Sequence, residues 1–407
     1  MHIFNEGYKY NKNLFKKGHD AFISTDNNKE YFDLTSGGGT LLLGHNSSIF
    51  KKSLKKFLNS GFSNFALPNI HAHNFSNNLK KTFPNFSGFI FCNSGAEANL
   101  KALRIARAIT KKNLVANVSG SWHGSVDQFL FHPNHKGLTE SISSGLDKNL
   151  QKGIVYIPYN NIKKTIDILN KKKSELSCVF FEPIQGCLPT DENLEYLKFL
   201  SSFCKKNKIL LILDEIITGL RLKCSSVQKE FKLTSDISTY GKVLGGGLPI
   251  GVIAISKNVE KKINKLKKNI FFGGTFSANS LSMYVSNETL KFIRRNKFKI
   301  FKKLDDNSNF FYKLLKNKIY EKKLKVKIIR FQSIFRIIFS EKIPKDRAQR
   351  DFVEKKKNKN KSKFINFLFK KKIIYPKNGI IFISSSMKKK NIKNICNEII
   401  LGLEKYI

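Results

Sequence analysis

Two ionisable residues stand in surroundings that suit chemistry better than solvation. Asp214 ends the apolar run at residues 209–213 (ILLIL), and Lys242 lies in the otherwise uncharged, glycine-rich segment TYGKVLGGGLPIG, residues 239–251. A continuous apolar run fits a strand buried on both faces of a parallel sheet. The carboxyl ends of such strands are where open α/β sheets bind ligands. A lysine set among apolar residues and glycines is expected to lose some proton affinity, because burial disfavours the ammonium. That is the condition a Schiff-base lysine needs. An acid at a strand end together with a desolvated lysine suits pyridoxal phosphate: the carboxylate keeps the pyridine nitrogen protonated and the lysine forms the imine. The same two residues also suit a helix cap and a surface loop. Short motifs discriminate loosely, so the neighbouring segments must decide.

Those segments repeat one design. Residues 89–92 (FIFC) run into Asn93, Ser94, Gly95, Ala96 and Glu97, then into the helix-periodic stretch ANLKALRIARAIT. A strand, a Ser-Gly turn and a helix present free backbone N–H groups to an anion, although an ordinary capped helix shows the same pattern. Residues 113–118 read as a strand ending in Gly120, Ser121, Trp122, His123 and Gly124. Trp122, the only tryptophan, can stack on a planar ring or anchor a core. Residues 178–181 read as a strand followed by Glu182 and Gln185, again with a carboxylate at the strand end. A helix at 194–204, a strand at 252–255 and the glycine-rich FFGGTFS, which carries Thr275 and leads into a helix near 279, complete the alternation. Strands alternating with helices predict an α/β fold with a mainly parallel sheet.

On either side of this region the character changes. Residues 1–30 read as a polar, lysine-rich arm or short strand. Residues 21–36 suggest a hairpin about Asp26, Asn27 and Asn28, followed by flexible glycines at 37–39 and a helix at 49–58. Beyond residue 290 come a basic helical stretch (296–327), a strand (334–339), a lysine-rich loop (355–363) and short strands at 373–375 and 380–383. The expected division is an N-terminal arm and hairpin over 1–50 contributing to a small domain, a large α/β domain over 51–289, and a small α+β domain over 290–407.

Composition sets limits. The chain has 407 residues, 41% of them hydrophobic, enough for a sizeable core. Its 74 Lys+Arg against 30 Asp+Glu give a formal net charge of +44, which alone would suggest a polyanion partner. The excess is mostly lysine, travels with abundant Asn, Ile and Phe, and is scattered rather than gathered in a stripe. A bias toward A/T-rich codons accounts for it, and neither specific nucleic-acid binding nor a membrane partner is expected. Six separated cysteines without a CxxC pair suit a reducing, cytoplasmic setting. The N-terminus shows no signal-peptide apolar core, and no run has the length of a membrane span. His71 with His73, and His132 with His135, lack the accompanying ligands that a metal site requires, so no metal is expected.

Six ordered stretches resemble the class III aminotransferases, pyridoxal-phosphate enzymes of fold type I, and are nearest to the glutamate-1-semialdehyde aminomutase group. They are FCNSGAEANLKALRIARA, SWHGSVDQFL, FFEPIQG, LLILDEIITGLRL, DISTYGKVLGGGLPIG and GGTFSANSLSM. The resemblance implies a large domain with a mainly parallel sheet and a smaller α+β domain. It implies that Lys242 forms the Schiff base with the cofactor and later moves the substrate proton, and that Asp214 pairs with the pyridine N–H. By the same likeness Ser94, Gly95 and Ala96 hold the phosphate, Trp122 covers the ring and Ile216 packs behind it. His123 belongs to the same cofactor-binding set, and Glu182 and Gln185 lie near the ring hydroxyl and the amine. Thr275 would reach the phosphate of a partner subunit, which implies a homodimer. The implied activity is transfer of an amino group between a small-molecule donor and a carbonyl acceptor. The alternatives are the aminomutase reaction itself and a catalytically silent binding protein on the same fold.

The chain departs from the aminomutase pattern where substrate would be chosen. The first arginine is Arg104, so no N-terminal arginine awaits a substrate carboxylate. The segment after Glu182 reads EPIQGC, and Ala278-Asn279-Ser280 replaces the expected Gly-Asn-x-Pro type of sequence. Arg336 can be structural or can face the site.

Overall fold

The structure is a computed structural model, and it describes residues 13–61, 63–65, 67–190 and 192–407. The first part of the expected N-terminal arm, residues 1–12, lies outside the described residues.

The chain is built on a seven-stranded sheet. Its strands, in chain order, are β1 (Phe86–Cys92), β2 (Leu114–Val118), β3 (Ile154–Ile157), β4 (Leu176–Phe181), β5 (Leu210–Asp214), β6 (Ile237–Gly241) and β7 (Gly251–Ser256). They lie in the order β1-β7-β6-β5-β4-β2-β3. All neighbours are parallel except β7, which runs antiparallel to both β1 and β6. With β7 alone reversed, the C-terminal ends of β1, β4, β5 and β6 share one edge.

The apolar runs explain the layering. Every residue of β4 and β5 is buried. Leu211 and Leu213 join one core cluster and Leu210 and Ile212 the other, as the two-residue period of a strand requires. Val179 and Phe181 of β4 likewise face away from Cys178 and Phe180. The helix Gly95–Thr110 covers one face with Ala98, Ala102, Ile105 and Ala106, and the helix Leu194–Lys206 covers the other with Leu197, Leu200 and Cys204. Both follow the 3.6-residue period of an amphipathic helix. Burying each leucine contributes about 1.5–3 kcal/mol.

Two smaller sheets flank this body. Phe15–His19, Phe22–Thr25 and Glu30–Asp33 form an antiparallel meander completed by Ile373–Ile374 from the far end of the chain. The expected hairpin about Asp26 is present, with Asn28 at a positive φ of 58°. Lys327–Phe331, Ile334–Ile338 and Ile381–Phe382 form a second sheet, backed by the helices Lys297–Glu321 and Lys389–Tyr406. The expected division near residue 290 falls within the helix Ser280–Arg295.

The structure differs from the sequence reading in two places. The lysine-rich segment 355–363 is mostly helical, belonging to the ends of Arg347–Lys355 and Asn358–Lys370. The part of the second helix inside this segment, residues 358–363, reads NKNKSK and buries no side chain, while the apolar residues of the helix begin at Phe364. The glycines at 37–39 form a tight turn rather than a flexible link. All three have positive φ, and a Cβ on Gly39 would come within 2.7 Å of the Phe382 ring.

Candidate active site

The shared edge of the sheet opens into a cavity of about 300 Å³. Asp214 closes β5, Glu182 follows β4, Lys242 follows β6, and Gly95 begins the helix after β1. All four line the cavity, with Ala96, Asn99, Trp122 and Ile216. Loops at the carboxyl ends of parallel strands converge in this way because the crossover helices carry the chain back behind the sheet.

Asp214 is buried and fully engaged on its protein side. Asn99 Nδ2 donates to Oδ2 at 2.7 Å, His123 Nδ1 lies 2.8 Å from the same oxygen, and the Ile216 N–H donates to Oδ1 at 3.0 Å. With a carboxylate as acceptor, His123 carries its proton on Nδ1. Its Nε2 stands 3.1 Å from Asn117 Oδ1 on the neighbouring strand, so both ring nitrogens are engaged. Thr239 Oγ1 in turn fixes Asn99 by donating to its Oδ1 at 2.7 Å. Every atom that could reorient the carboxylate is therefore tied down.

Lys242 sits in the left-handed region, at φ 45°, in the single helical turn after β6. A side chain there costs about 1–2 kcal/mol, and such strain persists where the surroundings over-determine it. Its Nζ donates to the carbonyl of Gly38 at 2.9 Å. Burial holds its pKa below the ordinary lysine value, reinforced by the charge of Arg221 and opposed by those of Asp214 and Glu182. Glu182 is shifted the other way, up to about 8, by burial and then by the negative charge of Asp214. Its oxygens accept from the Trp122 N–H at 3.0 Å and the Gly186 N–H at 3.1 Å.

At the other end of the cavity, Ser94 caps the helix Gly95–Thr110. Its Oγ accepts from the Glu97 N–H at 3.1 Å and its carbonyl takes the Ala98 N–H. Of the four leading donors of the helix, those of Gly95 and Ala96 are left for a ligand, and both residues line the cavity. Trp122 forms a half-exposed wall with the Arg347 guanidinium 5.8 Å from its ring centroid. The donor set fits pyridoxal phosphate: an anion-binding helix start at one end, a fixed carboxylate on the floor and a depressed lysine opposite.

Gln185 does not line this cavity. It is buried behind the wall, where its Nε2 donates to Ser119 O at 2.9 Å and holds the turn that carries Trp122. Thr275 lies outside its own chain's cavity on an exposed loop, where its carbonyl accepts from Asn64 Nδ2 at 3.2 Å. Arg336 is structural. It pairs with the buried Glu354 at 3.0 Å, and Lys361 binds the same carboxylate oxygen at 2.9 Å. His132 lies 3.2 Å from Arg347 Nη1 and His135 stacks on Phe352. No group of three or more candidate metal ligands occurs among the described residues. No helix among them is long and apolar enough to cross a membrane. Sequence reading missed Asn99, Asn117, Gly38 and Arg221. Only Arg221 had a local signal, as the charged residue in the apolar stretch after Asp214.

Residues 3–360 match the family model for class III aminotransferases. Among curated relatives, a glutamate-1-semialdehyde 2,1-aminomutase of Methanococcus maripaludis is 31% identical over 80% of this chain and 76% of its own length. That of Thermodesulfovibrio yellowstonii is 32% identical over 77% and 73%. The same enzyme of Fusobacterium nucleatum is 29% identical over 96% and 90%. Among solved structures, an omega-transaminase from Sphaerobacter thermophilus superposes with a TM-score of 0.87 at 21% identity, covering 97% of this chain and 91% of that one. A glutamate-1-semialdehyde aminomutase from Pseudomonas aeruginosa gives 0.85 at 15% identity, over 97% and 88%. These structures share the fold. With the family model spanning most of its length, the chain belongs to the class III aminotransferases, pyridoxal-phosphate enzymes of fold type I.

Proposed function

We propose that this enzyme moves an amino group between a small-molecule donor and a carbonyl acceptor, with Lys242 as the reactive amine and Asp214 as the partner of the pyridine nitrogen. One observation carries the reading: Lys242 and Asp214 line the same cavity as the open helix start at Gly95 and Ala96. When bound, pyridoxal phosphate supplies the electron sink for the charge left as a proton leaves the substrate carbon. Asp214 presents a preorganised negative charge, so no reorientation is needed as charge develops. Lys242 Nζ, with its proton affinity lowered by burial, takes and returns the proton. Trp122 and Ile216 give the planar ring apolar walls, while Glu182 and His123 hold the turn and the carboxylate around it. Thr275 serves the cofactor of a second copy of the chain, and the unit of function is a homodimer.

Borohydride reduction of the loaded enzyme followed by peptide mass spectrometry should place the cofactor adduct on Lys242. Lys242→Ala should lose amine transfer while keeping part of its cofactor affinity. Full activity in that variant overturns the assignment.

The aminomutase reaction, in which the amine stays within one molecule, is the second reading. It is supported by the names of the relatives near 30% identity. Incubation with glutamate-1-semialdehyde, with and without an external keto acid, separates the two: isomerisation without net amine exchange marks the mutase, and dependence on the keto acid marks the transferase.

A further inference from the structure

A second buried cation stands beside the reactive lysine. The Arg221 side chain is 2% exposed, and no carboxylate among the described residues lies within ion-pair distance of it. Its Nη2 donates to the carbonyl of Gly39 at 2.6 Å and its Nη1 to Ser333 Oγ at 3.1 Å. Its guanidinium lies 4.9 Å from the centroid of Phe382, and its Nε has no partner. A buried guanidinium without a counter-ion is costly, and an apolar side chain would fill the same space at lower cost. The charge therefore calls for a role other than packing.

The neighbouring contacts supply one. Gly39 is held by Arg221, and the preceding carbonyl, that of Gly38, receives Lys242 Nζ at 2.9 Å. Two cations thus grip successive carbonyls of one glycine turn. Only glycines suit the turn: its φ angles are all positive, and Phe382 leaves no room for a side chain at Gly39. We propose that Arg221 is a positioning residue for Lys242, pinning the glycine turn that receives the amine and setting an unneutralised positive charge beside it. This rests on the reading of Lys242 as the reactive amine.

The charges felt by Lys242 are those of Arg221, Asp214 and Glu182. Arg221 acts with burial to favour the neutral amine, while the two carboxylates oppose it. Arg221 itself is pushed down only to about 9, so it stays charged at neutral pH. The Glu182 carboxyl, shifted up to about 8, adds its opposing charge as pH rises past that value.

The test uses the full-length, cofactor-free protein and reads Lys242 directly. Acylation by acetic anhydride is followed residue by residue with peptide mass spectrometry across pH, with the exposed Lys223 and Lys257 as internal references. In the wild type, Lys242 should reach half-maximal reactivity at a lower pH than the references. Arg221→Gln, which can still donate to Gly39 but carries no charge, should raise that midpoint by about one unit. This corresponds to roughly tenfold less neutral amine at fixed pH. Arg221→Lys, which keeps the charge, should leave the midpoint close to wild type. Circular dichroism checks folding, and Arg221→Met replaces the glutamine variant if that one does not fold. A neutral variant whose Lys242 profile superimposes on the wild type overturns the role of Arg221, as does a lysine variant that behaves like the neutral one. If wild-type Lys242 titrates together with Lys223 and Lys257, the assignment of Lys242 as the reactive amine fails instead.

Discussion

At the scale of single residues, Glu182 yields a pH prediction with a definite sign. Its folded pKa, about 8, lies above the ordinary 4.5. Between those values the unfolded chain releases a proton that the folded chain keeps, so stability falls as pH rises. The contribution is fully present below pH 4.5 and lost as pH passes about 8. Glu182→Gln removes the titration. Melting temperatures at pH 5 and pH 8.5 should show the variant gaining on the wild type at the higher pH. Asp214, Lys242 and Glu182 were legible in the sequence because each breaks a local pattern: a charge ending an apolar run or interrupting a glycine-rich one. Asn99 and Gly38 break no pattern. Asn99 is one polar residue in a helix and Gly38 one of three glycines. Their roles arise only from contacts made across the fold, 115 residues apart for Asn99 and Asp214 and 204 for Gly38 and Lys242.

At the scale of elements, β7 ties the lysine loop to the phosphate-type turn. Gly251 opens β7 opposite Cys92 of β1, and a Cβ there would lie 2.0 Å from the carbonyl oxygen of Ser94. The last glycine of the lysine motif is thus the floor under the helix start. Gly251→Ala must push β7 and the Ser94 turn apart. It should cost about 1–3 kcal/mol in chemical denaturation and should weaken cofactor binding more than a comparable substitution elsewhere in the strand. The strand–turn–helix segments were legible because apolar runs and turn residues are local signals. The reversal of β7 was not, since a short apolar strand carries no mark of its direction. The start of the helix Asn358–Lys370 was hidden for another reason: residues 358–363 are lysines, asparagines and a serine with nothing buried, so they resemble a solvated loop.

At the scale of the whole molecule, the loop carrying Thr275 lies beside other exposed apolar side chains. Phe271 and Phe276 flank Thr275, and Leu67 and Ile70 belong to the segment that contacts it through Asn64 and Asn69. Apolar side chains gathered on one exposed face favour association. Light scattering coupled to size exclusion should give a dimer for the wild type. Phe271→Asp with Phe276→Asp should shift it toward monomer, and, if Thr275 reaches a neighbouring cofactor as proposed, should lower cofactor affinity at the same time. A dimer that survives both changes with unaltered cofactor affinity would remove Thr275 from the site. The fold class was the most legible feature of all, because alternation of strand and helix is a global property that no single misread segment alters.

The left-handed backbone at Lys242 sets backbone comfort against chemistry at one position. A glycine there would relieve the strain at φ 45° but would carry no amine. The residue that suits this backbone best is thus one that could not perform the proposed reaction.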